Sequence, residues 1–134
     1  MGFIPYAYGT GASDAYEYHP INTAGAYIGK AMYMEGGVLV GASDEDKPTY
    51  VCMTNKADAA MGDIVAAIRI KPTTRFVTTF AANGASVNLG DKLQISADGT
   101  QVTATTGGCF EVVEIRGTNI GDEVIGRFVE GGAA

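Results

Sequence analysis

Residues 64–80 read Ile-Val-Ala-Ala-Ile-Arg-Ile-Lys-Pro-Thr-Thr-Arg-Phe-Val-Thr-Thr-Phe, and this stretch decides the fold class. Residues 64–70 are apolar and largely β-branched, and the run stops ahead of Pro72, so they predict a short strand. Residues 74–80 follow with Phe76 and Phe80 on one side of an extended backbone and Arg75 on the other, the pattern of a half-buried strand. Moving outward, residues 26–34 and 38–40 flank Glu35-Gly36-Gly37, which predicts a hairpin. Residues 41–48 form a polar loop, and 49–54 a further strand. Residues 55–61 alone have helix propensity, and they are too few to hold a helix by themselves.

Downstream, strands are expected at 87–89, 92–96, 101–105, 110–116 and 123–129, with a turn at Asp98-Gly99. Residues 110–116 (Phe-Glu-Val-Val-Glu-Ile-Arg) combine alternation with an apolar pair, so one face is buried and the other solvated. Many short strands between Gly-rich turns give an all-β domain of antiparallel strands, a barrel or a sandwich-like clip.

The first 25 residues read differently. Residues 1–18 contain Phe3, Tyr6, Tyr8, Tyr16 and Tyr18, five of the twelve Phe and Tyr in the chain, with no helical period. Each of the pairs Tyr6/Tyr8 and Tyr16/Tyr18 places both rings on one side of an extended backbone. The expectation is an extended N-terminal arm over residues 1–25, a β domain over 26–130 and a tail over 131–134. Exposed aromatics in such an arm would call for a partner surface.

A chain of 134 residues is one domain's worth of material. Fifteen acidic against nine basic residues give a net charge of −6, which argues against nucleic acid as a partner. No run of about 18 apolar residues is present, so no membrane helix is expected. The first residues lack the basic and apolar regions of a signal peptide, so synthesis in a reducing cytoplasm is expected. Cys52 and Cys109 each sit in an apolar segment and read as buried thiols.

Three short segments echo one another: Met61-Gly62-Asp63-Ile64, Leu89-Gly90-Asp91-Lys92-Leu93 and Ile120-Gly121-Asp122-Glu123-Val124, spaced by 28 and 31 residues. A recurrent turn explains them. Gly takes a positive φ, Asp accepts backbone N–H groups, and the next apolar residue opens a strand.

Reactive chemistry is sparse. The single histidine, His19, lies in the leader ahead of Pro20, not on a rigid support suited to a base. Asp44-Glu45-Asp46 lacks the alternating ligands, central Gly and terminal Glu of a calcium loop. Residues 9–13 (Gly-Thr-Gly-Ala-Ser) are followed by no lysine, as a phosphate-binding loop requires. Glu111 and Glu114 define no catalytic pair. Lys56, Arg69, Lys71 and Arg75 form a local basic excess, read as a solvated strand face or a contact with an acidic surface. The sequence thus predicts no enzyme, no metal site and no cofactor.

The order of turns carries a resemblance. Gly90-Asp91-Lys92-Leu93, Asp98-Gly99-Thr100, Gly107-Gly108-Cys109-Phe110-Glu111-Val112, Gly121-Asp122-Glu123-Val124 and Arg127-Phe128-Val129 follow one another as in small capsid decoration (cement) proteins of tailed bacteriophages. Residues 61–70 would supply an earlier strand, so the resemblance to these lambda-type head decoration proteins covers about residues 30–130. It implies a small β-clip, tulip or barrel-like domain. It further implies a homo-oligomer, commonly a trimer, on the outside of an expanded icosahedral shell, where it bridges major capsid protein subunits. An N-terminal arm that orders against the shell is also implied, and here it would contribute Phe3, Ile4, Tyr6, Tyr8, Tyr16 and Tyr18. More aromatics stand in this leader than in the lambda-type proteins. Alternative readings are a tail-tube or head–tail connector protein, or a small ligand-binding β domain.

Overall fold

A computed structural model describes residues 2–7, 15–22 and 25–129. Tyr8 lies outside them. Among the described residues all eleven regular elements are strands: β1 Ile4–Ala7, β2 Glu17–Pro20, β3 Ala31–Glu35, β4 Val38–Gly41, β5 Tyr50–Cys52, β6 Ile64–Arg69, β7 Arg75–Thr79, β8 Lys92–Ile95, β9 Val102–Thr106, β10 Phe110–Ile115 and β11 Glu123–Phe128. They form two antiparallel sheets, one in the order β1-β7-β11-β10-β8-β9 and one in the order β2-β6-β5-β3-β4. The all-β expectation therefore holds.

Each sheet curls. In the larger one, a single parallel bridge from Phe80 to Val102 brings β9 round to the end of β7. In the smaller one, a parallel bridge from Ile21 to Leu39 joins the end of β2 to β4, so its two outer strands meet. Curling of this kind shortens the open edges that a flat sheet would expose.

The smaller sheet is buried on both faces. Met32, Tyr50, Cys52, Val65 and Ala67 point into its own interior with Ile21 and Leu39. The alternate positions Ala31, Val51 and Ile68 face the larger sheet and join Phe76, Phe80, Leu93, Ile95, Phe110 and Phe128. This double burial is why β5 and β6 read as continuous apolar runs.

The leader does not stand apart from the body. Phe3 is fully buried in the main core. Its ring lies 5.0 Å from Phe128 and 5.5 Å from Phe110, and Phe128 in turn lies 5.5 Å from Phe76. These tilted and edge-on spacings are the favourable ones for aromatic pairs. Beside it, β1 pairs with β7 (Ile4 opposite Val77), and β2 pairs with β6 (Glu17 opposite Ala67). The expected separate arm over residues 1–25 is thus corrected for the described part: Tyr6 and Tyr18 belong to edge strands. The physical reason is Phe3, which is buried in the core shared by the two sheets. The chain enters through a crossing of two glycines. A Cβ on Gly29 would stand 2.5 Å from the Gly2 Cα, and the Phe3 N–H donates to the Gly29 carbonyl at 2.8 Å. Pro5, with no N–H, blunts the outer edge of β1.

The three echoing segments are one turn used three times. In each, the Asp N–H donates to the carbonyl three residues back: Asp63 to Ala60, Asp91 to Asn88 and Asp122 to Asn119, at 3.0–3.1 Å. The Asp carboxylate accepts the N–H of that same residue at 2.9–3.0 Å. Gly62, Gly90 and Gly121 have φ of 90°, 90° and 89°, as position three of a type II turn requires. Each turn opens a strand, β6, β8 or β11, and each leaves its apolar second residue exposed, Met61, Leu89 or Ile120.

Two local expectations fail. The strand expected at 87–89 is irregular, because Val87 is buried alone and Leu89 is drawn into the turn. The strand expected from residue 26 begins at Ala31, because Gly29 has φ 91° and breaks the extended run. The apolar pair Val112-Val113 marks a bulge in β10, where the register to β11 shifts.

Truncating Phe3 to Ala should cost about 3–5 kcal/mol of stability by leaving a cavity between the sheets. Urea denaturation checks this: the midpoint should fall with the slope unchanged. A cost below about 1 kcal/mol would mean that the leader is not part of the core.

Candidate interaction surface

Strand β2 carries two different faces. Its odd residues, Glu17 and His19, turn toward Tyr50. Its even residues turn outward, with Tyr16 just ahead of the strand in phase with them. Opposite them on β6, Ala66 faces Tyr18 and Ile64 faces Pro20. Tyr16 is 51% exposed, Tyr18 66% and Ile64 62%. The same side of β6 buries Ile68 against the larger sheet further along. Thus one end of this apolar face is covered by the protein's own second sheet, and the other end is open.

A polar clasp fixes that open face from behind. Arg69 grips Glu17 with two hydrogen bonds, Nε to Oε2 at 3.0 Å and Nη2 to Oε1 at 3.2 Å. The Tyr50 hydroxyl donates to Glu17 Oε1 at 3.0 Å, and His19 Nε2 lies 3.1 Å from the same oxygen. The Arg69 guanidinium sits 5.0 Å from the Tyr50 ring centre, and the His19 ring meets Tyr50 edge-on at 5.2 Å. The hydrogen bonds from Arg69 and then His19 hold the Glu17 carboxyl down at about 2, against 4.5 for an ordinary glutamate. Burial, and then the bond to Glu17, pushes the Tyr50 phenol up, so it stays a donor. Bidentate geometry of this kind locks β2 against lateral slip. Arg69 therefore finds its acidic partner within the chain.

The residues expected to contact a capsid do not stay together. Phe3 is interior and cannot serve as a contact. Ile4 is half-buried in β1. Tyr6 is 51% exposed, but its hydroxyl accepts from Arg116 Nη2 at 3.2 Å and its ring lies 5.4 Å beneath that guanidinium. Arg116 is itself held by Glu114 and Glu123 at 2.9 Å and 3.2 Å. Tyr8 lies outside the described residues. Among the described residues of that set, only Tyr16 and Tyr18 share one open face. Ile64 and Pro20 belong to that face and were not expected there. Alternation along residues 64–70 could have revealed Ile64, because β6 is apolar on both sides and needs two covers.

Elsewhere, Cys52 and Cys109 are both buried, as expected, and burial pushes the Cys52 thiol up. Among the described residues, no three His, Cys, Asp or Glu side chains converge as metal ligands, and no helix is long and apolar enough to cross a membrane. Comparison with known proteins finds no family model and no curated relative that matches this chain.

The clasp predicts an acid-sensitive strand. A carboxyl held below its unfolded value stabilises the fold above that value, and the stabilisation is lost as pH falls through the folded one. The Glu17 contribution should be complete above pH 4.5 and disappear toward pH 2. Urea midpoints measured across this window should fall more steeply for the natural protein than for Glu17→Gln. Parallel curves would show that Glu17 does not clasp β2.

Proposed function

We propose that this protein is a structural accessory of a tailed-phage head. It binds the outer surface of the icosahedral shell as a homo-oligomer, a trimer in this reading, and stabilises the shell by bridging major capsid protein subunits. It makes the contact without a cofactor and carries out no catalysis.

The observation that carries this reading is the exposure of Tyr16, Tyr18 and Ile64 along β2 and β6, two paired strands clasped from the other side. Tyrosines offer a large contact area with few rotatable bonds. On a strand already fixed in place, they bind without the ordering cost a free arm would incur. The turn order that resembles decoration proteins supports it as well. An oligomer engaging several shell subunits gains avidity from weak individual contacts, and binding the assembled shell alone stabilises it by mass action. The reading differs from the sequence expectation in its contact. Tyr16, Tyr18 and Ile64 carry it, with Phe3 and Ile4 serving the fold.

Sedimentation of the protein with expanded heads stripped of it tests the proposal. A Tyr16→Ser/Tyr18→Ser/Ile64→Ser variant with an unchanged urea midpoint should bind at least about tenfold more weakly, the loss expected when central aromatic anchors are removed. Binding equal to that of the natural protein would reject this face as the contact. Absence of binding by the natural protein itself would reject the capsid role.

A further inference from the structure

A cleft of about 460 Å³ opens on a different part of the molecule, between the loop before β3 and the turn that joins β8 to β9. Tyr27, Ile28, Lys30, Asn55, Asp98 and Thr100 line it. Its volume lies in the range of small-molecule sites.

The wall is built and not incidental. Tyr27 is 44% exposed, yet its ring is backed by bare backbone: a Cβ on Gly25, whose φ is 80°, would stand 3.1 Å from Tyr27 Cε2. The backbone under the ring is tied by Gly25 N–H to the Ala59 carbonyl at 2.8 Å and by paired bonds between Ala26 and Lys56. The Cε2 and hydroxyl end of the ring is thus braced, and the ring borders the cleft. Ile28, 43% exposed, extends this apolar floor.

Asp98 belongs to the same lining. Its Oδ1 accepts from Ser96 Oγ at 2.7 Å, Thr100 N at 3.0 Å and Thr100 Oγ1 at 2.8 Å. Oδ2 carries none of these three bonds. Burial alone would raise this carboxyl, but the bonds from Ser96 and Thr100 outweigh it and keep it ionised. Lys30 reaches past Gly99 and Gly41, with its Cγ and Cε each within 3.3 Å of where a Cβ would stand. Asn55 adds an amide that can both donate and accept.

We propose that this cleft binds a neutral sugar ring. A lining that carries one acidic and one basic side chain, Asp98 and Lys30, has no net charge and favours a ligand with none. A hydroxyl both donates and accepts, so the hydroxyls of a ring match the Asp98 carboxylate and the Asn55 amide. The apolar face of the ring rests on Tyr27 and Ile28. The inference is independent of the capsid-contact face.

Amide NMR spectra of the whole protein, titrated with millimolar methyl glycosides of glucose, galactose, mannose and N-acetylglucosamine, test it. Inorganic phosphate and putrescine serve as charged comparators. At least one glycoside should shift the amides around residues 27–30, 55 and 98–100 saturably. Tyr27→Ala and, separately, Asn55→Ala should weaken that response at least tenfold, with unchanged spectra elsewhere showing that both remain folded. If no glycoside shifts these amides, if both variants respond like the natural protein, or if only phosphate or putrescine binds, the inference is wrong.

Discussion

The ring of Phe3, locked between two β-sheets, is the contact on which the rest of the molecule depends. It ties the first described residues to Phe110 and Phe128, on the strands at the centre of the larger sheet. With that anchor in place, β1 must run along β7, and β2 can close the smaller sheet against β6 and Leu39. The leader thus begins in one sheet and continues in the other, which makes it a staple between them. The free energy of burying one phenylalanine is a sizeable fraction of the net stability of a small domain, so such a staple is not a minor feature.

The double burial of the smaller sheet has a consequence for function. A strand apolar on both sides needs two covers, and β6 runs further than the larger sheet can reach. Ile64 is left at the open end, and β2 lays Tyr16 and Tyr18 beside it. The clasp of Glu17 by Arg69, Tyr50 and His19 is on the reverse side of the same strand, so a rigid polar grip and an open aromatic face share one short stretch of backbone, residues 16–20. That arrangement suits a surface built to meet a partner already formed.

Much of the body was legible in the sequence. Ten segments from residue 26 onward carry strand patterns, and nine contain strands, because alternation and turn residues are local signals. The Gly-Asp echo was read as a turn, and the structure bears this out at all three sites. The leader was harder. Its aromatics alternate as expected, but the strands it pairs with lie far along the chain, with Val77 opposite Ile4 and Ala66 opposite Tyr18, and nothing local distinguishes a paired edge strand from an open arm. The Glu17–Arg69 contact was hidden for the same reason. Both residues were visible, and only the fold brings them together. Of the tyrosines expected at the surface, Tyr16 and Tyr18 are exposed, whereas Tyr6 is exposed yet engaged by Arg116, a distinction that spacing does not encode.

Hydrogen exchange of the isolated protein tests the central claim most directly, because it reports whether the leader is held before any partner arrives. The Phe3 amide, bonded to Gly29, and the Ile21 amide, bonded to Asp63, should exchange as slowly as the amides of β6 and β7. Exchange of both at the rate of unstructured chain, while β6 and β7 stay protected, would contradict the account.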